Sequence, residues 1–272
     1  MKQHPTVESN VAVVLCAVAM SLSATLSPHV GDAAAHVVEG SCMWMAATSV
    51  FLVAVHLCCG KARYGWIKKL QLAVCCMAGI HGATTTYLSA KEILKAYPVS
   101  MDMENTTQQE KVVFLSTGYF LFDLLQLLLT QPHEVLFILH HFIVTSYMMS
   151  SYVLGRGMIS SLVMMCIGEV TSPLLNTWLV AKDLKKDYEA PRKFFDWLSP
   201  FFTIIYVFFR TILGPPVTYW VVDGVLKSHK LGPLVRYSWS IMVTLGTLGS
   251  QAWSLKLVKG MMKRRKSQKK IA

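Results

Sequence analysis

The sequence predicts an all-α polytopic membrane protein with about eight transmembrane helices. Of its 272 residues, 53% are hydrophobic and 15% are charged, and the mean hydropathy is +0.44. A soluble domain carries about 25% charged residues. In addition, apolar stretches of helix length recur along the whole chain. These observations exclude a disordered tail, a small disulfide scaffold and a typical soluble enzyme.

Each apolar stretch is expected to form one membrane-spanning helix, because about 20 apolar residues cross the hydrocarbon core. Each stretch is closed by charged residues, glycine or proline. The predicted spans are approximately 11–26, 43–59, 70–90, 112–130, 134–154, 158–181, 200–222 and 236–256. Residues 1–64 thus hold two helices and a cytosolic loop, residues 65–258 a six-helix membrane domain, and residues 259–272 a basic cytosolic tail.

The distribution of Lys and Arg predicts the orientation of these spans. One side of the membrane carries 18 of the 26 basic residues and the other side 7, while Arg210 lies inside a span. Basic loops face the cytosol, so both termini are expected there. The net charge of +11 follows this topology and does not indicate nucleic-acid binding. The first span also fits a signal peptide, whose cleavage would leave seven helices.

Two short motifs predict where parts of the chain lie in the cell. Asn105, Thr106 and Thr107 form a glycosylation acceptor in loop 91–111, which the charge distribution places in the lumen. Lys269 and Lys270 occupy the fourth and third positions from the carboxyl end. This dilysine pattern predicts retrieval to the endoplasmic reticulum by a cytosolic coat. The same tail could instead serve only to bind anionic lipid.

Polar side chains inside the spans indicate where function resides, because ionisable groups in hydrocarbon normally face a bundle interior or a wet cavity. They are His81, Asp123, His140, His141, Glu169, Arg210 and Gln251. At the helical rise, Asp123, His140, His141 and Gln251 lie about 8 to 10 Å from the cytosolic end of their spans, and the others about 16 Å. A shared chamber in the cytosolic half of the membrane is therefore expected.

Two interpretations of this layer stay open. Arg210 could pair with Asp123 and Glu169 in an ionic network that only holds the bundle together. His140 and His141 point about 100° apart on a helix, which favours the broad wall of a cavity, and imidazoles suit proton transfer near neutral pH. No metal site is expected, because adjacent histidines diverge and no Cys or His is spaced as a clear partner.

The order of these residues resembles the TLC-domain family of translocon-associated, ceramide-synthase and related lipid proteins. The resemblance covers roughly residues 65–258. Its motifs are His140-His141 with Thr145, Gly155-Arg156-Gly157, Glu169 to Pro173 with Asn176, Gly118-Tyr119-Phe120 with Asp123, and Arg210 ahead of Gly214. The resemblance implies a six-helix bundle around a polar cavity. It adds Asn176 to the candidate ligand-binding residues His81, Asp123, Glu169, Arg210 and Gln251.

In the ceramide-synthase branch, the paired histidines are followed by a His-Asp pair and a further Asp that are implicated in acyl transfer. Met165 and Cys166 stand at the positions of the pair here, and Glu169 at that of the further Asp. The sequence therefore resembles the branch that lacks synthase activity, which implies a role in membrane-lipid homeostasis.

Three functions remain from the sequence. The first is binding or regulation of a membrane lipid, whether fatty acyl, sphingoid or sterol. The second is an acyl-CoA-dependent N-acyltransferase, with His140 or His141 as general base, acyl-CoA as co-substrate and no other cofactor. The third is a factor for membrane-protein insertion or cargo export.

Overall fold

A computed structural model describes residues 28–58 and 64–271, and the first predicted span lies outside them. Within these residues the regular secondary structure is α-helical apart from a short π-helix, and strands are absent. The elements are α1 Pro28–Cys58, α2 Trp66–Lys95, α3 Thr107–Thr130, α4 Val135–Val153, α5 Met158–Glu169, α6 Ser172–Leu184, α7 Glu189–Val207, the π-helix Phe208–Leu213, α8 Gly214–Lys227 and α9 Pro233–Ile271. The predicted all-α membrane fold is confirmed.

Five helical stretches of the described chain are long and apolar enough to cross a membrane. They are Gly31–Cys58, Thr107–Thr130, Val135–Val153, Met158–Leu184 and Glu189–Lys227. The predicted spans 70–90 and 236–256 lie in α2 and α9. These helices do not meet the requirements of length and apolar composition together. The count of eight spans therefore stays a prediction.

The predicted span 158–181 is two helices, α5 and α6, separated at Val170 and Thr171. Pro173 explains the break, because it has no backbone N–H and its ring would clash with the carbonyl of Glu169 four residues earlier. The predicted span 200–222 likewise contains the π-helix. Pro215 and Pro216 follow it and cannot donate the α-helical bonds to the carbonyls four residues before them.

Small residues let α1 pack closely on α3. A Cβ on Gly118 would lie 2.7 Å from the backbone carbon of Gly40. Ser41 Oγ donates to the Gly118 carbonyl at 2.9 Å, and Trp44 Nε1 to the Leu115 carbonyl at 2.9 Å. Close approach through glycine and interhelical hydrogen bonds is how helices associate where lipid offers no hydrophobic drive.

Asn105 joins the loop between α2 and α3, residues 96–106, to the end of α4 and the start of α5. Its Nδ2 donates to the Ser151 carbonyl at 2.8 Å, and its Oδ1 accepts from the Met158 backbone N–H at 3.0 Å. The second bond satisfies one of the N–H groups that begin α5. The side-chain amide thus has a structural role, and glycosylation of Asn105 stays a prediction.

Candidate functional site

A cleft of about 510 Å³ lies between α3, α4, the α5–α6 break, the π-helix and α9. Six residues singled out in the sequence line it together: Asp123, His140, His141, Glu169, Asn176 and Arg210. Two others do not line it, His81 and Gln251. The cleft thus gathers polar groups from five separate elements.

His141 is held on both ring nitrogens. Its Nε2 lies 2.8 Å from Asp123 Oδ2, and its Nδ1 lies 2.7 Å from the Phe137 carbonyl oxygen. A carbonyl accepts only, so Nδ1 carries a proton. The proton between Nε2 and Asp123 then resides on one of those two groups. In either state the ring has no lone pair free for a substrate, and His141 with Asp123 forms a positioning pair.

His140, the next residue along the helix, is free. Its ring lines the cleft and contacts the rings of Phe120 and His141 edge-on, at centroid distances of 6.4 and 5.7 Å. No group in the described residues hydrogen-bonds either of its ring nitrogens. A neutral imidazole with both nitrogens open can donate one hydrogen bond and accept another. His140 is therefore the histidine able to contact a ligand.

Arg210 connects the α5–α6 break to α9 by hydrogen bonds. Its Nε donates to Thr171 Oγ1 at 3.1 Å, its Nη1 donates to Ser250 Oγ at 3.1 Å, and its Nη2 donates to the Gly168 carbonyl. The break in the helix leaves backbone carbonyls such as that of Gly168 without a helical donor, and at membrane depth they must find donors inside the protein. The planar guanidinium supplies donors in three directions at once.

The predicted network of Arg210 with Asp123 and Glu169 is not formed as direct ion pairs. Asp123 is paired with His141 instead, and the described ion pairs include none between Arg210 and Glu169. The reason is the broken helix, whose carbonyl and hydroxyl oxygens take the guanidinium donors.

Glu169 ends α5 directly against α2. A Cβ on Gly82 would lie 3.2 Å from Glu169 Oε2 and 2.5 Å from the Cβ of Ser172. Only a glycine fits between α2 and the helix break at this separation. Gly82 therefore sets how closely α2 approaches the carboxylate.

His81 and Gln251 support the site from behind. His81 is fully buried, stacks on Tyr119 at a centroid distance of 3.8 Å, and places Nε2 3.3 Å from Ser116 Oγ. Gln251 Nε2 donates to the backbone carbonyl of Arg210 at 2.6 Å. It thereby satisfies a carbonyl of the π-helix, where α-helical bonding is interrupted.

Several lining residues were not singled out from the sequence: Tyr206, Gly246, Gly249, Ser250 and Trp253. The small residues at 246, 249 and 250 share one face of α9, and that spacing was the signal available. Tyr119 was quoted only as part of a family motif. It lines the cleft, and its hydroxyl has no hydrogen-bond partner in the part of the chain that the structure describes.

Residues 66–259 match the family model described as TLC domain. The chain belongs to the TLC-domain family. It is also 28% identical over 206 residues to a TLC domain-containing protein of Arabidopsis thaliana, an alignment that covers 73% of this chain and 81% of that relative. The resemblance drawn from the motifs over residues 65–258 is confirmed.

The two positions where ceramide synthases carry a His-Asp pair have other surroundings here. Met165 is buried in the hydrophobic core. The Sγ of Cys166 lies 4.0 Å from the Thr86 carbonyl on α2. Neither side chain replaces a proton-transferring pair beside His140.

Proposed function

We propose that this TLC-domain protein acts in membrane-lipid homeostasis by binding or regulating a lipid in the cleft. One observation carries the proposal: polar groups lie deep in a cleft whose outer wall is apolar and faces the surroundings of the bundle. That wall comes from α4 and α9 and includes Leu136, Leu139, Leu245 and Leu248, which are 38%, 52%, 49% and 57% exposed. An alkyl chain in the bilayer can contact this wall while its polar group reaches His140.

The polar end of the cleft has hydrogen-bonding groups that are available to a ligand. His140 and the Tyr119 hydroxyl lack partners in the described chain, whereas His141 and Asp123 satisfy each other. A lipid hydroxyl, carbonyl or amide can therefore bind His140 and Tyr119 without breaking a bond inside the protein. This proposal assigns ligand contact to His140 and positioning to His141.

The second candidate is acyl transfer from acyl-CoA to a lipid amine. The unpartnered imidazole of His140 favours it, because a general base needs a free lone pair within reach of the substrate. Met165 and Cys166 weigh against it. In such a reaction His140 would take the amine proton as nitrogen attacks the thioester carbonyl, and the CoA thiolate would leave.

Substitutions of His140 test both functions. His140→Ala is expected to lower the lipid that co-purifies by roughly 2- to 10-fold, since one neutral hydrogen bond contributes about 0.5 to 1.5 kcal/mol. His140→Gln is expected to keep the lipid, because an amide also donates and accepts. The measurement is mass spectrometry of lipid extracted from protein purified in mild detergent.

The matched control is His133→Ala, which changes an exposed histidine before α4 and should leave bound lipid unchanged. Unaltered lipid content in His140→Ala would contradict ligand contact by His140. Acyl transfer by the wild type, reduced about 100-fold or more in His140→Gln with lipid retained, would instead establish the transferase.

We further propose residence in the endoplasmic reticulum with both termini in the cytosol. Replacing Lys269 and Lys270 by Ser is expected to release the protein to later compartments, because a receptor of the retrieval coat reads those two side chains. Replacing Lys259 and Lys263 by Ser removes the same charge and should leave location unchanged. Fluorescence microscopy of tagged protein measures the location of both double variants. The same location for the two double variants would contradict retrieval. A glycan on Asn105 would independently support the topology.

A further inference from the structure

A second, smaller space of about 90 Å³ adjoins the cleft. The two spaces share Phe120, His140, Ile143, Glu169, Arg210, Gly246 and Ser250. The polar groups of the site therefore lie at the junction of two spaces and not at the closed end of one. We call this smaller space the tunnel.

The tunnel is apolar beyond the junction. Four methionines contribute to its wall: Met148, Met164, Met165 and Met242. Unbranched, flexible thioethers adapt to irregular apolar contents. The tunnel therefore has the wall expected for an alkyl segment.

The hydroxyls along the tunnel are already used within the protein. Ser161 Oγ donates to the Met158 carbonyl at 2.7 Å, Tyr147 OH shares a hydrogen bond of 2.7 Å with Ser160 Oγ, and Thr247 Oγ1 shares one of 2.6 Å with Thr218 Oγ1. A ligand group that needs a hydroxyl donor would have to break one of these bonds, because each hydroxyl has a single proton. An alkyl segment breaks none.

Size restricts the content further. An apolar cavity of about 150 Å³ holds one benzene ring, so about 90 Å³ admits a slim chain segment and no ring or second chain. The cleft, at about 510 Å³, is the larger space. A lipid that fills both must carry its polar group between a short slim segment and a larger apolar part.

We propose that the tunnel is an alkyl-chain subsite, and that the lipid bound here has an internal polar linkage, such as an amide or ester, instead of a terminal headgroup. The inference rests on the proposed lipid binding and adds the class of lipid. Gly246 is the residue at the junction that admits the chain, because it lines both spaces and a Cβ there would meet no atom within 4 Å.

Gly246→Leu tests the subsite, because the leucine side chain would occupy the junction without displacing a neighbour. Gly260→Leu is the control, since it makes the same change in α9 at an open position outside both spaces. The probes are N-hexadecylhexanamide and N-hexadecylacetamide, which share one long chain and differ in the segment beyond the amide. Full-length protein in phosphatidylcholine nanodiscs is incubated with each probe, and retained probe is quantified by mass spectrometry.

The wild type and Gly260→Leu are expected to retain the hexanamide about tenfold or more better than the acetamide, because its extra methylenes gain close contacts with the tunnel wall that fluid acyl chains do not provide. Gly246→Leu is expected to abolish that preference while still retaining the acetamide. Equal retention of both probes by the wild type, or an unchanged preference in Gly246→Leu, would overturn the subsite and leave lipid binding standing. Retention of neither probe and of no native lipid by the wild type would overturn both proposals.

Discussion

Gly82→Ala is expected to destabilise the protein by about 1 to 3 kcal/mol, the range for overpacking a close-packed interior. The added methyl would lie 2.5 Å from the Cβ of Ser172 and 3.2 Å from the Glu169 carbonyl oxygen. These atoms belong to or adjoin the backbone of the helix break and cannot rotate away. The midpoint temperature of thermal unfolding in detergent should fall by several degrees. The yield of folded protein should fall as well.

Gly79→Ala provides the matched control one turn earlier on α2. Its new Cβ would lie 3.8 Å from the Cβ of Asn176 and from the Cα of Pro173, which is ordinary contact. Alanine exceeds glycine in helix propensity by about 1 kcal/mol, so this variant should be at least as stable as the wild type. Equal melting temperatures for the two variants would show that α2 does not approach the break this closely.

Arg210→Met should also cause a large loss of stability. It leaves the Gly168 carbonyl without its donor and removes the partner of Thr171 and Ser250. Each buried polar group left unpaired costs about 1 to 3 kcal/mol. Arg210→Lys should restore part of the loss, since one ammonium keeps the charge but lacks the planar set of donors. Thermal unfolding in detergent measures both variants.

The control for Arg210 is Arg156→Met. Arg156 pairs with Glu104 at 3.4 Å, and the Glu104 side chain is 83% exposed, so this change should alter stability by no more than about 1 kcal/mol. An Arg210→Met variant as stable as Arg156→Met would mean that lipid headgroups or water, and not the helix break, hold the guanidinium.

The sequence was sufficient for the class of fold and for six of the polar residues that line the cleft, since both depend on local pattern. Polar side chains in apolar stretches must face the bundle interior, and six of those chosen line one cleft. Which side chains pair with each other inside the site was not predictable from local pattern. Pairing of Asp123 with His141 and not with Arg210 depends on how α3 rotates against α4. Rotation is set by packing across helices distant in sequence.

The sequence by itself determined a helical membrane protein of the TLC-domain family, because hydropathy, proline positions and ordered motifs are properties of the chain alone. The tertiary structure decided which histidine is free. His140 and His141 are chemically identical neighbours, but only His141 lies within reach of Asp123 and the Phe137 carbonyl. The structure likewise decided that Gln251 serves the π-helix and that Gly246 stands at a junction. Side-chain roles of this kind depend on distances of a few ångströms between helices, which no local pattern encodes.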